Sequence, residues 1–218
     1  MAVEVPDHVF KKEIQNKNNT PMKKKSTVTL VVIIAVIAVV VLWGIKVNNN
    51  MVAMEEGVNK AWSNVENVYQ RRADLIPNLV NTVKGYAAHE TSTFEAVVNA
   101  RAKATSISVN PENMTADQLK EFQKAKNEVG GALGRLIAIS ESYPELKANE
   151  NFKELQSQLE GTENRIAVER RNFNEEASKF NTNIRKFPQS IIAGMRDFEK
   201  KPYFEAEEGA NKAPKVEF

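Results

Sequence analysis

Val28 to Ile45 reads VTLVVIIAVIAVVVLWGI, 18 residues in which Thr29 is the one strongly polar side chain. No other feature of the 218-residue chain limits its fold so tightly. At about 1.5 Å of rise per residue, a helix of this length spans roughly 27 Å, close to the hydrocarbon core of a bilayer. Its β-branched residues are no obstacle, because backbone in lipid must satisfy its own hydrogen bonds and a helix does so locally. Trp43 stands where an interfacial anchor is expected. The residues that follow, Lys46 to Met54, offer no small-x-small cleavage site, and the chain has no cysteine to carry a lipid. The run therefore predicts an uncleaved single-pass transmembrane helix over 28–45.

Flanking charge gives the orientation. Lys23, Lys24 and Lys25 precede the run and only Lys46 follows it closely. The positive-inside rule keeps the N-terminus in the cytoplasm and places the chain from residue 48 onward outside it. Residues 1–27 are expected to be a short polar cytoplasmic segment without fixed structure. Met22 followed by three lysines resembles a natural start, so residues 1–21 are expected to be an extension without structural role, or a misplaced start.

The absence of cysteine excludes a disulfide scaffold, a thiol nucleophile and thiolate metal sites, and leaves the redox compartment open. Seven of the 30 basic residues but only three of the 28 acidic ones precede residue 48, so residues 48–218 carry a slight acidic excess. A domain of that charge lacks the dense basic face that phosphate backbones require, which excludes nucleic acid as the expected partner.

From residue 48 the apolar pattern has the helical period. One stripe runs through Val58, Trp62, Val65, Tyr69, Ile76, Leu79, Val83 and Tyr86, with Arg72 as its polar interruption. A second runs from Phe122 through Ala125, Val129, Ala132 and Leu136 to Ile139 and Tyr143. A third links Phe152, Leu155, Leu159, Ile166, Phe173, Phe180, Ile184 and Phe187, with Thr162, Glu169 and Glu176 or Ala177 in the intervening slots. Such spacing sets each group on one face that must be buried. Ser92-Thr93-Phe94-Glu95 and Thr115-Ala116-Asp117-Gln118 read as capping boxes, Asn110-Pro111 as a turn, and Tyr143-Pro144 and Phe187-Pro188 as helix stops. The prediction is four helices over 51–88, 92–107, 116–142 and 149–186, then a short one over 189–197. The expected fold is all-α: one transmembrane helix, then an elongated antiparallel four-helix bundle over 48–187, then a short helix and tail over 188–218. The outer helices reach about 55 Å and the second only about 24 Å, so the bundle is expected to narrow to a stalk.

Candidates for chemistry are few. His89-Glu90 lacks the second histidine of a zinc-binding helix, for Thr93 stands four residues on, and the only other histidine is His8. His89 and Glu90 are expected to cap a helix junction. No Ser-His-Asp set can be assembled around His89. Gly130-Gly131-Ala132-Leu133-Gly134 has no following Lys-Ser or Lys-Thr, so close packing is expected there, with Trp62 or Tyr69 pressing in. No metal, cofactor or small-molecule substrate is expected, and the chain reads as no enzyme.

Pro77 removes an amide and displaces the carbonyl of Ala73 inside the first stripe, where a kink is expected. Arg72 and Asp74 lie one turn before it, and Glu163, Arg165, Glu169 and Arg170 supply complementary charge on the last long helix. Together these predict a polar layer across the bundle, serving either as an ion pair that sets register, the favoured reading, or as a binding notch. In the tail, Ile191, Ile192, Met195, Phe198, Tyr203 and Phe204 accompany Arg196, Lys200 and Lys201. This segment can dock on the bundle, lie in the lipid interface or reach a neighbouring subunit, and docking is favoured.

Several of these runs occur together in order: Arg71-Arg72-Ala73-Asp74-Leu75-Ile76-Pro77-Asn78-Leu79-Val80, then Val83-Lys84-Gly85-Tyr86, His89-Glu90 and Ala100-Arg101. Glu160-Gly161-Thr162-Glu163-Asn164-Arg165-Ile166, Glu169-Arg170-Arg171-Asn172-Phe173-Asn174, Phe187-Pro188, Lys201-Pro202-Tyr203-Phe204 and Pro214-Lys215-Val216-Glu217-Phe218 follow. In this combination the chain resembles the bacterial LemA family over residues 22–218, the anchor included, although the extension before Met22 departs from the family's short start. The resemblance implies a helical bundle tethered to the bacterial envelope and no particular chemistry. The expectation is a non-enzymatic scaffold or adaptor in the inner membrane. It touches lipid through Val28 to Ile45 and binds itself or another envelope protein. The alternatives are a self-assembling protein that shapes or bridges membranes and, remotely, a hydrolase.

Overall fold

The computed structural model describes residues 22–205. The expectations for residues 1–21, for His8 and for Pro214 to Phe218 lie outside the described residues. Every regular element among the described residues is helical: α1 (Met22–Lys84), α2 (Thr91–Ser106), α3 (Ala116–Ala138), a 3₁₀ turn (Ile139–Ser142), α4 (Pro144–Ala148), α5 (Glu150–Arg185) and α6 (Gln189–Met195). The chain divides into two units, residues 1–48 and 49–218.

In the first unit, α1 exposes every large apolar side chain from Val28 to Ile45, Val28 and Leu42 among them. A contiguous apolar surface of that size is foreign to soluble monomers and suited to lipid.

In the second unit, one core collects Leu75, Ile76, Leu79 and Val83 from α1 with Phe94 and Val97 from α2. Val129, Leu133 and Leu136 of α3, Leu146 of α4, and Phe152 and Leu159 of α5 complete it. Aromatic rings build a neighbouring group: Trp62 lies 4.9 Å from Phe122, 5.6 Å from Phe173 and 6.0 Å from Phe204, ring centre to ring centre.

The Thr115 capping box forms as expected: Thr115 Oγ1 accepts from the Gln118 amide at 3.2 Å, and Gln118 Oε1 accepts from the Thr115 amide at 2.9 Å. The other box does not. α2 begins at Thr91, which puts Ser92 inside the helix, and Glu90 holds the N-cap position without a side-chain hydrogen bond. Pro144 ends one element and opens the next, for it occupies the first turn of α4, where its missing amide leaves nothing unpaired. Asn149 then caps α5, its Oδ1 accepting from the Phe152 amide at 2.9 Å. The first and third stripes fail at their last members, while Ile139 and Tyr143 of the second pack against the core. α1 stops at Lys84, so Tyr86 is exposed and Ala87 is buried instead. α5 stops at Arg185, which leaves Phe187 83% exposed. In the Glu176 or Ala177 slot it is Ala177 that is buried.

Candidate functional site

Pro77 sits inside α1, which continues through it to Lys84. A proline has no amide to offer the carbonyl one turn back, here that of Ala73. Arg101 of α2 fills the place, its Nε donating to Ala73 O at 2.9 Å. The helix irregularity is thus repaired by a side chain from the next helix.

One turn earlier Arg72 is buried, its side chain 5% exposed. Nη1 donates to Glu163 Oε1 of α5 at 2.7 Å, and Nη2 donates to the carbonyl of Lys126 in α3 at 2.6 Å. The guanidinium also lies over the Tyr69 ring, 5.1 Å from its centre. A Cβ built at Gly130 would come within 3.8 Å of Arg72 Nη1. The expected neighbours of the glycine run, Trp62 and Tyr69, are not the ones that approach it. The guanidinium passes the side-chain-free face of Gly130, and a Cβ built at Gly134 would meet no neighbouring atom within 4 Å.

Lys126 adds a second cation to the layer. Its Nζ donates to Ala104 O at 2.8 Å, and Ala104 lies in the last turn of α2, whose carbonyls have no partner within the helix. Burial, and then the Arg72 charge, hold the Lys126 ammonium below the usual lysine range, while Glu66 opposes them. Burial pushes the Glu66 carboxyl up, against the Trp62 indole and the Lys126 charge, which pull it down. Trp62 Nε1 itself is buried without a well-formed hydrogen bond, so its pull on Glu66 is that of a nearby dipole.

Of the residues singled out in the sequence, Arg72 and Glu163 therefore meet. Asp74 is exposed and accepts from Gln70 Nε2 at 2.7 Å. Arg165 is exposed, and Glu169 accepts from Asn172 within its own helix at 3.1 Å. Arg170 serves a different centre, together with Tyr203 and Phe204.

That centre is a strap, residues 198–205, laid on α5. Two asparagines hold it by its backbone. Asn181 Oδ1 accepts from the Lys201 amide and its Nδ2 donates to Lys201 O, both at 2.8 Å. Asn174 does the same for Phe204, at 2.8 and 3.0 Å. The spacing explains the fit. Seven residues of helix rise about 10.5 Å, and three residues of extended chain cover about 10 Å. Asparagines seven apart on α5 therefore match residues three apart on an extended chain running the opposite way. Arg170 Nη2 and Gln123 Nε2 donate to Glu205 O at 2.9 and 3.1 Å, and Tyr203 Oη accepts from Asn181 at 2.9 Å.

The strap's side chains complete the core. Phe204 is buried against Trp62 and Phe173. The Lys201 side chain is 4% exposed, yet its ammonium is filled: Glu55 Oε1 lies at 2.7 Å, Glu112 O at 2.7 Å and Pro111 O at 3.4 Å, three acceptors for three N–H bonds.

Sequence reasoning did not single out Lys126, Glu66, Asn174, Asn181 or Glu55. A signal existed for the asparagines, since each directly follows a heptad phenylalanine, Phe173 or Phe180. His89 is exposed, and Glu90 makes no capping bond, contrary to expectation. Among the described residues no three His, Asp or Glu side chains gather into a metal-binding group.

A family model described as the LemA family matches residues 61–218. The chain is 30% identical over 174 residues to magnetosome protein MamQ 2 of Paramagnetospirillum magneticum, covering 72% of this chain and 64% of that protein. It is 31% identical over 173 residues to magnetosome protein MamQ of Magnetospirillum gryphiswaldense, with coverage of 72% and 64%. It is 23% identical over 160 residues to protein LemA of Metamycoplasma hominis, covering 73% of this chain and 69% of that protein. The match thus spans less than two thirds of the length of the MamQ relatives.

Proposed function

The chain belongs to the LemA family, and from that premise we propose that it is a non-enzymatic scaffold or adaptor, held in the bacterial inner membrane by Val28 to Ile45 with its helical unit outside the cytoplasm. Family membership and the lipid-suited helix make it a membrane-associated protein. One observation carries the rest: the two cations that are buried among the described residues, Arg72 and Lys201, hold the fold together. Arg72 ends on Glu163 and a carbonyl, and Lys201 ends on Glu55 and two carbonyls. A catalytic cation must reach substrate, and these two are buried with their terminal nitrogens turned to protein acceptors instead. Binding then falls to exposed helix faces, to which Val98 and Val168 contribute apolar side chains.

A second reading has copies of the chain assembling to shape or bridge a membrane. The exposed apolar side chains Phe187, Ile191 and Met195 favour it.

Photo-crosslinking in intact cells separates the two, with the probe amino acid replacing Val98 and, separately, Val168. Adducts with one other envelope protein are expected. Adducts chiefly between copies would replace the adaptor by the assembly. Adducts with a turned-over metabolite would overturn the non-enzymatic reading.

A further inference from the structure

We infer that Phe187, Ile191 and Met195 form a second membrane contact, seated in the phospholipid headgroup layer of the bilayer that α1 enters. Ile191 and Met195 stand four apart in α6 and so share one side, and Phe187 lies in the turn that leads into it. They are 83%, 53% and 75% exposed, while Ala193 on the opposite side of α6 is buried. The strap just beyond is docked, as Phe198 and Phe204 show by their ring contacts with Phe180 and Phe173. The apolar side of α6 is thus what the docking leaves uncovered.

Two observations choose lipid as the occupant. The first is charge: exposed Arg185, Lys186, Arg196 and Lys200 flank the apolar residues, against Asp197 and Glu199. An excess of base beside an apolar line is the composition that anionic headgroups attract. The second is chain reach. Thr182 of α5 and Lys186 just beyond it border a shallow groove with Met54, and Met54 stands nine residues after Ile45. Even fully extended, nine residues cover at most about 32 Å, so the tether holds Met54 within that reach of Ile45. A helix of seven residues is too short to hold a free protein on lipid, but the tether makes the encounter intramolecular and weak contact suffices.

The chain has no cysteine, so one introduced thiol labels a single site. The test uses the full chain in nanodiscs of phosphatidylcholine and phosphatidylglycerol, one copy per disc. Phe187→Cys, Ile191→Cys, Met195→Cys and, as the control on another helix, the exposed Val98→Cys each carry an environment-sensitive dye. A headgroup-region spin-labelled lipid should quench the three patch sites about twofold or more and leave the control almost unchanged. Patch dyes quenched no more than the control would overturn the inference. So would dyes shielded only when two copies share a disc, for then the patch belongs to a partner copy.

Discussion

Asn181→Ala should release the strap. In the native fold the Lys201 amide and carbonyl both end on this one side chain, which is 3% exposed, as is Lys201 itself. Alanine leaves two buried backbone groups without partners, at about 1–3 kcal/mol each. Water admitted beside the shortened side chain recovers part of this, so a net loss of about 3 kcal/mol is expected. At about 1.4 kcal/mol per factor of ten, the opening equilibrium of the strap rises about a hundredfold. Native-state hydrogen exchange reads this directly: the Lys201 and Phe204 amides should exchange about a hundredfold faster, while amides in the middle of α3, such as Val129, change little. Trp62, which Phe204 covers, should become more accessible to a soluble fluorescence quencher. Exchange at Lys201 and Phe204 within threefold or so of the parent would refute the reasoning, for it would mean that Phe204 and the Glu55 ion pair hold the strap without the clamp.

Arg72→Met should lower stability by only about 1–2 kcal/mol in a chemical melt, because the Glu163 side chain it abandons is 49% exposed and rehydrates; a loss above about 4 kcal/mol would show a tighter layer than the geometry implies. Arg101→Ala should cost about 1–2 kcal/mol in the parent but little in a Pro77→Ala background, where residue 77 again supplies the amide for Ala73 O; strictly additive losses would dismiss the repair. Glu66→Gln should stabilise the protein at neutral pH, since burial makes the charged carboxylate unfavourable in the fold. The folded Glu66 holds its proton more tightly than the unfolded one, so the parent gains stability as pH falls through its raised pKa towards the usual glutamate value. The variant's advantage must therefore shrink over that window, and an advantage that grows on acidification in thermal melts would reverse the assignment.

Much of this architecture is legible in the sequence because long helices repeat their signal. The run from Val28 to Ile45, the Phe122 stripe and the Thr115 box are local patterns, and each needs only one element to be read. Phe187 was misread because periodicity does not say where a helix stops, and the seven-residue beat continued past Arg185 into chain that is no longer helical. The link between Arg72 and Glu163 was legible as charge complementarity. Its other half was not, since a backbone carbonyl such as that of Lys126 leaves no trace in residue type. The strap was hidden for the same reason. Asn174 and Asn181 bind main chain, and polar residues on a helix look solvated until something covers them.

Asparagines that grip amides and carbonyls ask little of the side chains they hold, the Tyr203 hydroxyl apart, so outside the buried Lys201 and Phe204 the strap is constrained in conformation more than in spelling. Position 202 lies between the two clamped residues and owes neither asparagine a hydrogen bond, so proline is admissible there and reduces the freedom lost on docking. Proline at 201 or 204 would delete an amide that a clamp requires. Substitutions should therefore accumulate at strap positions 200 and 205 while Asn174 and Asn181 stay fixed, a pattern in which the receptor is inherited more faithfully than the segment it receives.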